Sequence, residues 1–297
     1  MIRVAASARG GQCNLPGTHM GNIVWLASYP KSGNTWLRVF LANLIANKPD
    51  PVPLDQLHRY CDDEANPAHF SELAGKPSAE LDLDEISMLR PQVHARIASA
   101  SCGTRFVKTH NRVGVIDHYP LQNLGVTAGA IHVVRNPMDV AISMTHHFGL
   151  SLDDAIERLG NENVATQNDD LFVTQVLGSW SDHARSWASL DSTRVLTVRY
   201  EDLLRNSRKQ FAKIARFLGI GGCSERIDRA VRHSTFSTLS ALERKNGFRE
   251  ASDKGRFFFR KGTTNEWRDV LTASQMKVIV ERHSEQMKRF GYLPKVH

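Results

Sequence analysis

The densest chemistry in this 297-residue chain lies in eight consecutive residues, Tyr29-Pro30-Lys31-Ser32-Gly33-Asn34-Thr35-Trp36. Lys31 offers a mobile cation and Thr35 a hydroxyl. Gly33 allows a tight loop whose backbone N–H groups approach a ligand, and Trp36 presents a flat face on which an adenine can stack. An uninterrupted apolar run, Ile23-Val24-Trp25-Leu26-Ala27, precedes the loop. A helical pattern follows it, with Leu37, Phe40, Leu41 and Leu44 on one face. Strand, loop and helix N-terminus together make a cradle for an anion, because the helix dipole is positive at that end. Ordinary nucleotide loops end in Gly-Lys-Ser/Thr and carry no aromatic there. The plainer alternative is a strand-to-helix turn with a core tryptophan.

Two more segments have the makings of anion sites. In Val134-Arg135-Asn136-Pro137-Met138-Asp139-Val140-Ala141-Ile142-Ser143, Asn136 is a good N-cap and Pro137 suits the first helical position. Arg135 at a strand tip and Ser143 two turns along the helix can then converge on one phosphate. Alone, the segment is equally a capped helix with a surface arginine. In Phe259-Arg260-Lys261-Gly262-Thr263-Thr264-Asn265-Glu266-Trp267, two cations and a glycine suit a loop folded over a phosphate, although solvated basic turns look the same.

These segments resemble, in order, the motifs of the sulfotransferases that use 3′-phosphoadenylyl sulfate (PAPS). The first is similar to their 5′-phosphosulfate loop, close to Tyr-Pro-Lys-Ser-Gly-Thr-Thr-Trp, and departs from it only at Asn34. Asn donates from its amide and tolerates unusual turns, so the change is compatible with binding. The resemblance implies that Lys31, Ser32, Gly33, Asn34, Thr35 and Trp36 bind the donor. It also implies that Arg135, Ser143, Arg260, Lys261 and Gly262 hold its 3′-phosphate. Asn265 replaces the second glycine of the family's Arg-Lys-Gly-x-x-Gly-x-Trp.

Val107-Lys108-Thr109-His110 resembles the family's Lys-Thr/Ser-His, which singles out His110 among 13 histidines as the general base. Lys108 would lie against the sulfuryl oxygens, and Lys31 would steady the leaving oxygen. The Leu-Pro that usually follows is absent, with Asn111-Arg112 in its place. Tyr200, in Tyr200-Glu201-Asp202, would meet the adenine edge. Ser234 and Phe236, in a segment similar to Thr-Ser-Phe, would line the nucleotide. The likeness spans roughly residues 22–270. His146-His147 is read as non-catalytic, because adjacent residues diverge on a helix and no carboxylate is spaced to complete a metal site.

The surrounding sequence must position these groups. Apolar runs at Arg105-Phe106-Val107, Ile131-His132-Val133-Val134 and Val195-Leu196-Thr197-Val198 read as strands. A helical pattern through Phe172, Val173, Val176, Leu177, Trp180, Ala184 and Trp187 follows the second of these. Another through Phe211, Ile214, Ala215 and Leu218 stops at Gly219. The alternation implies an α/β, P-loop-like three-layer fold: a mainly parallel central sheet with helices on both faces and ligands at the strands' carboxyl ends. Residues 22–297 are expected to form one domain, with insertions over the ligand face near 48–103 and 237–262. Residues 1–21 read as a poorly ordered leader, with the folded start near Met20.

Composition narrows the remaining choices. A hydrophobic share of 41% suffices for a large core, and no stretch of roughly 18 apolar residues exists to span a membrane. Cys13, Cys61, Cys102 and Cys223 lack metal-like spacing, which points to a reducing cytoplasm. The +7 formal charge and pI near 9.4 call for an anionic partner. Without a nucleic-acid motif, a multiply charged nucleotide accounts for that bias. The resulting expectation is a cytoplasmic, metal-independent enzyme that moves a sulfuryl group from PAPS to a small-molecule hydroxyl, its oligomeric state open. The rivals are a nucleotide-dependent phosphotransferase and a non-catalytic basic module that binds nucleotide or nucleic acid.

Overall fold

Strand β1 (Ile23–Ser28) is apolar on both sides, and this places it at the centre of a five-stranded sheet. The computed structural model describes residues 22–294 apart from 222, 253, 255 and 256. The expected leader and the folded start near Met20 lie outside the described residues. In chain order follow α1 (Asn34–Ala46), β2 (Asp62–Asp63), α2 (Pro67–Ala74), α3 (Leu83–Ser99) and β3 (Arg105–Thr109). A small hairpin of β4 (Val115–Ile116) and β5 (Tyr119–Pro120) precedes β6 (Thr127–Val134). Next come α4 (Pro137–Phe148), α5 (Leu152–Gly160), α6 (Trp180–Ala188) and β7 (Val195–Arg199). The chain closes with α7 (Tyr200–Arg205), α8 (Ser207–Phe217), α9 (Ser224–His233), α10 (Phe236–Asn246), α11 (Trp267–Val270) and α12 (Ala273–Phe290).

The sheet order is β2-β3-β1-β6-β7, and every neighbouring pair is parallel. Alternation along β1 divides the core. Val24 and Leu26 pack with Leu37, Phe40, Leu41 and Leu44 of α1 and with Phe211 and Ile214 of α8. Ile23, Trp25 and Ala27 point to the opposite face, against Ile86, Val93 and Ile97 of α3 and Trp187 of α6. The Trp25 indole N–H is satisfied by Thr127 Oγ1 at 2.9 Å, so the ring is buried without a polar cost. A third cluster joins α4, α5, α6 and α12 beside the sheet. The expected three-layer arrangement is the observed one.

Two local expectations are corrected. The apolar pattern from Phe172 to Trp187 is one helix only from Trp180 onward. Gly178 takes φ +66°, and Ser179 caps α6 in a box with Asp182, which starts a new element there. Before that, Val173, Gln175 and Leu177 are buried while Thr174 and Val176 are half-buried, the period-2 alternation of extended chain. The stretch 48–103 is not a cover over the ligand face. It supplies edge strand β2 and the core helix α3, because its apolar residues follow the helical period of a buried face.

Candidate active site

The strand ends at Ser28, Thr109, Val134 and Arg199 all open onto one cavity of about 1000 Å³. Lys31, Gly33, Asn34, Thr35, Trp36, Lys108, His110, Arg135, Ser143, Tyr200, Phe236, Arg260, Lys261 and Gly262 line it together. Residues 249–252 and 258–262 also line it, whereas none from 48–103 does.

The loop after β1 is held in a conformation that an anion can use. Lys31 takes φ +66° and Gly33 φ +106°, both left-handed. A Cβ on Gly33 would stand 2.7 Å from the Tyr200 ring, so only glycine lets loop and ring approach this closely. Asn34 secures the loop to its own strand: its amide donates to the Leu26 carbonyl at 2.8 Å and to Ser28 Oγ at 3.3 Å. No side chain caps the first turn of α1, unlike α2, α3, α4, α5 and α6. Ser32 is fully buried, and its Oγ has no partner among the described residues. Half-buried Trp36 lies edge-on to Tyr200 and Phe211 and donates its indole N–H to the Ser234 carbonyl at 2.8 Å.

The Lys31 ammonium sits 3.9 Å from the centre of the Phe258 ring. Burial lowers its pKa to about 7, opposed by the negative charge of Glu250 and assisted by Arg135. Glu250 also occupies Thr35, accepting from its hydroxyl at 3.2 Å and from both Arg38 contacts at 2.6 Å. Burial would raise the Glu250 pKa, but Arg38 and Lys108 hold it down at about 2.

Of the remaining cations, Arg135 is held by backbone carbonyls and Arg260 and Lys261 by one half-buried acid. Arg135 reaches the carbonyls of Lys31 (3.1 Å) and Thr263 (3.2 Å), and its guanidinium lies 4.5 Å from the centre of the Tyr200 ring. Its buried Nε has no partner among the described residues. Arg260 and Lys261 both pair with Glu266, at 2.9 and 2.7 Å, and these bonds lower that carboxyl's pKa to about 2. Asp139, in the first turn of α4, accepts from the backbone N–H groups of Asn265 (2.8 Å) and Trp267 (3.2 Å). Asn265 takes φ +65°, so it preserves the left-handed turn that the family's glycine would make.

On β3, Lys108 is paired with Asp63 at 2.7 Å, directly across the strand register. His110 Nδ1 lies 2.7 Å from the Ser28 carbonyl, and its pKa falls to about 3 through burial and the charge of Lys108. Glu64, fully buried, takes hydrogen bonds from Thr109 and from Asn111 (2.8 Å) and faces His94 at 2.9 Å. The residues flanking His110 on both sides are thus anchored to one buried carboxylate.

Two expected residues do not reach the cavity by side chain. The Ser234 hydroxyl bonds back to the Ala230 carbonyl, and its neighbours Thr235 and Phe236 line the space instead. Ser32 is buried beneath the loop. His147, set aside in the sequence, does line the cavity, edge-on to Phe258, with its pKa lowered to about 4 by burial and by Lys31. Sequence reading also passed over Asp63, Glu64, Glu250 and Glu266. Glu266 lay within the quoted basic motif, and a search for a carboxylate five or six residues from the cations would have found it.

Comparison with known proteins gives one consistent picture. The family model for the sulfotransferase domain matches residues 22–291. The 3-alpha-hydroxysteroid sulfotransferase of Cavia porcellus is 26% identical over 275 residues, covering 91% of this chain and 84% of that protein. Cytosolic sulfotransferase 5 of Arabidopsis thaliana is 26% identical over 284 residues, covering 90% and 80%. In fold, the chain is similar to mouse sulfotransferase SULT7A1 complexed with PAP, with TM-score 0.59, 24% identity and coverage of 90% and 84%. With its motifs on one parallel sheet and the domain matched almost end to end, the chain belongs to the sulfotransferase family.

Proposed function

We propose that this enzyme transfers the sulfuryl group of PAPS to the hydroxyl of a small-molecule acceptor, with His110 as general base. The carrying observation is the meeting, in one cavity, of a neutral, half-buried histidine with two lysines and a separate group of cations. The residues fit the donor. The Tyr200 ring fills the space beside Gly33, and the Phe236 ring fills that beside Gly262, where a Cβ would collide with it. Among the described residues, the buried Arg135 Nε has no partner and no side chain caps the first-turn amides of α1. A mouse relative of the same fold is described as a complex with PAP, the desulfated donor.

When bound, the donor supplies an electrophilic sulfur and a phosphate leaving group. His110 Nε2 takes the acceptor's hydroxyl proton as the acceptor oxygen bonds to sulfur in line. Lys31 neutralises the bridging oxygen as its bond to sulfur breaks, and Lys108 balances charge on the sulfuryl oxygens. Arg135, Ser143, Arg260, Lys261 and the Gly262 backbone hold the 3′-phosphate. Trp36 and Tyr200 flank the adenine, and Thr35 joins the 5′-phosphate once Glu250 releases its hydroxyl. Incubation with ³⁵S-labelled PAPS and fractionated metabolite extracts tests this reading. Label should move into small-molecule products, and wild-type enzyme that moves none while binding ATP in preference would overturn it.

A further inference from the structure

A further part of the cavity wall comes from residues between 144 and 177. Leu150, Phe172 and Leu177 make it partly apolar, yet it carries N–H donors without a carboxylate partner among the described residues. Gln175 lines the cavity and is 3% exposed, and its buried Nε2 has no acceptor among the described residues. Arg158 of α5 also lines the cavity. Among the described residues it donates only to the Ala165 carbonyl, at 3.3 Å, and has no carboxylate partner. Tyr29, 2% exposed, has a hydroxyl without a partner among the described residues and within the electrostatic reach of Arg158.

Backbone pairing explains why Arg158 and Gln175 belong to the same stretch of wall. Ala165 bridges antiparallel to Val176, and the Thr166 N–H donates to the Gln175 carbonyl at 2.9 Å. Arg158 rests on one side of that bridge and Gln175 forms part of the other. The bridge is attached beside the base, since Asn111 Oδ1 accepts from the Val176 N–H at 2.6 Å. Asp169 lines the same wall, but its Oδ1 is engaged by the amides of Leu171 and Phe172 at 2.8 and 2.7 Å. A buried amide without an acceptor is destabilising until an oxygen meets it, and a half-buried guanidinium without a carboxylate partner keeps N–H groups free for an anion.

We propose that Arg158 and Gln175 form an acceptor subsite for a carboxylate, so that the preferred acceptor is a small hydroxy acid and not a neutral alcohol. The proposal rests on the reading of His110 as the site of the acceptor hydroxyl. Calorimetric titration of PAP-saturated protein with small hydroxy acids, such as 4-hydroxyphenylacetate and the hydroxybenzoates, each beside its methyl ester, tests it. At least one acid should bind roughly tenfold or more tightly than its ester, about the effect of one charge-assisted contact. Arg158→Gln should erase that preference while leaving PAP affinity and melting temperature unchanged, and Arg158→Lys should keep part of it. A series in which no acid outbinds its ester, including one in which nothing binds, overturns the subsite. So does a preference that survives Arg158→Gln. Failure to bind PAP would instead overturn the donor assignment, and the same titrations without PAP would still decide the subsite.

Discussion

His110 Nδ1 lies 2.7 Å from the backbone carbonyl oxygen of Ser28. A carbonyl only accepts, so Nδ1 carries the ring proton and Nε2 keeps the lone pair. Burial and the Lys108 charge push the pKa to about 3, so the ring is neutral throughout the physiological range and ready to take a proton. Nitrogen NMR of the donor-free protein should show this single neutral tautomer from pH 8 down to pH 5. His110→Ala should slow sulfuryl transfer about 10²–10⁴-fold with donor affinity retained. A mutant rate that recovers at high donor concentration would mark His110 as a donor contact.

Lys31 provides a second pH-dependent test. Its pKa of about 7 in the free protein means that it is charged below that pH and increasingly neutral above it. An anion placed beside it favours the charged form, so the pKa rises on binding. PAP affinity should therefore fall as pH rises through about 7, and binding at pH 8 should take up a proton. Calorimetry in two buffers of different ionisation enthalpy measures that uptake directly. Uptake that persists in Lys31→Met would assign the proton to another group.

Arg260 and Lys261 share the Glu266 carboxylate in the donor-free protein. If these cations read the 3′-phosphate as proposed, PAP should raise the melting temperature clearly and AMP much less. Replacing either cation with Ala should narrow the gap by about 1.5–3 kcal/mol of binding, the usual worth of a hydrogen bond to a charged group. Equal shifts with PAP and AMP in the wild type would remove the assignment.

Gly262 has φ +62°, and a Cβ there would collide with the Phe236 ring. Gly262→Ala is thus strained twice, and the ring must move from the cavity wall. Donor affinity should drop at least about tenfold, while the circular dichroism of the sheet and helices stays native. A folded Gly262→Ala protein with unchanged affinity would show that this turn does not shape the donor site.

The first loop, the parallel strands and the cationic motifs were legible in the sequence because each rests on short-range rules. An apolar run makes a buried strand, Gly33 permits its turn, and Asn136-Pro137 starts a helix within a few residues. The acids that hold the site together obey no such rule. Asp63 finds Lys108 through strand register, Asp139 caps amides 126 and 128 residues away, and Glu250 meets Arg38 across 212 residues. Only the fold decides those pairings, since the distance between two charges depends on how helices and strands cross and not on their spacing along the chain. The same limit explains the misread segment before Trp180. Its apolar residues fit a helical period, but a left-handed Gly178, the Ser179–Asp182 cap and pairing with Ala165 favoured extended chain. That choice placed Gln175 in the wall of the cavity.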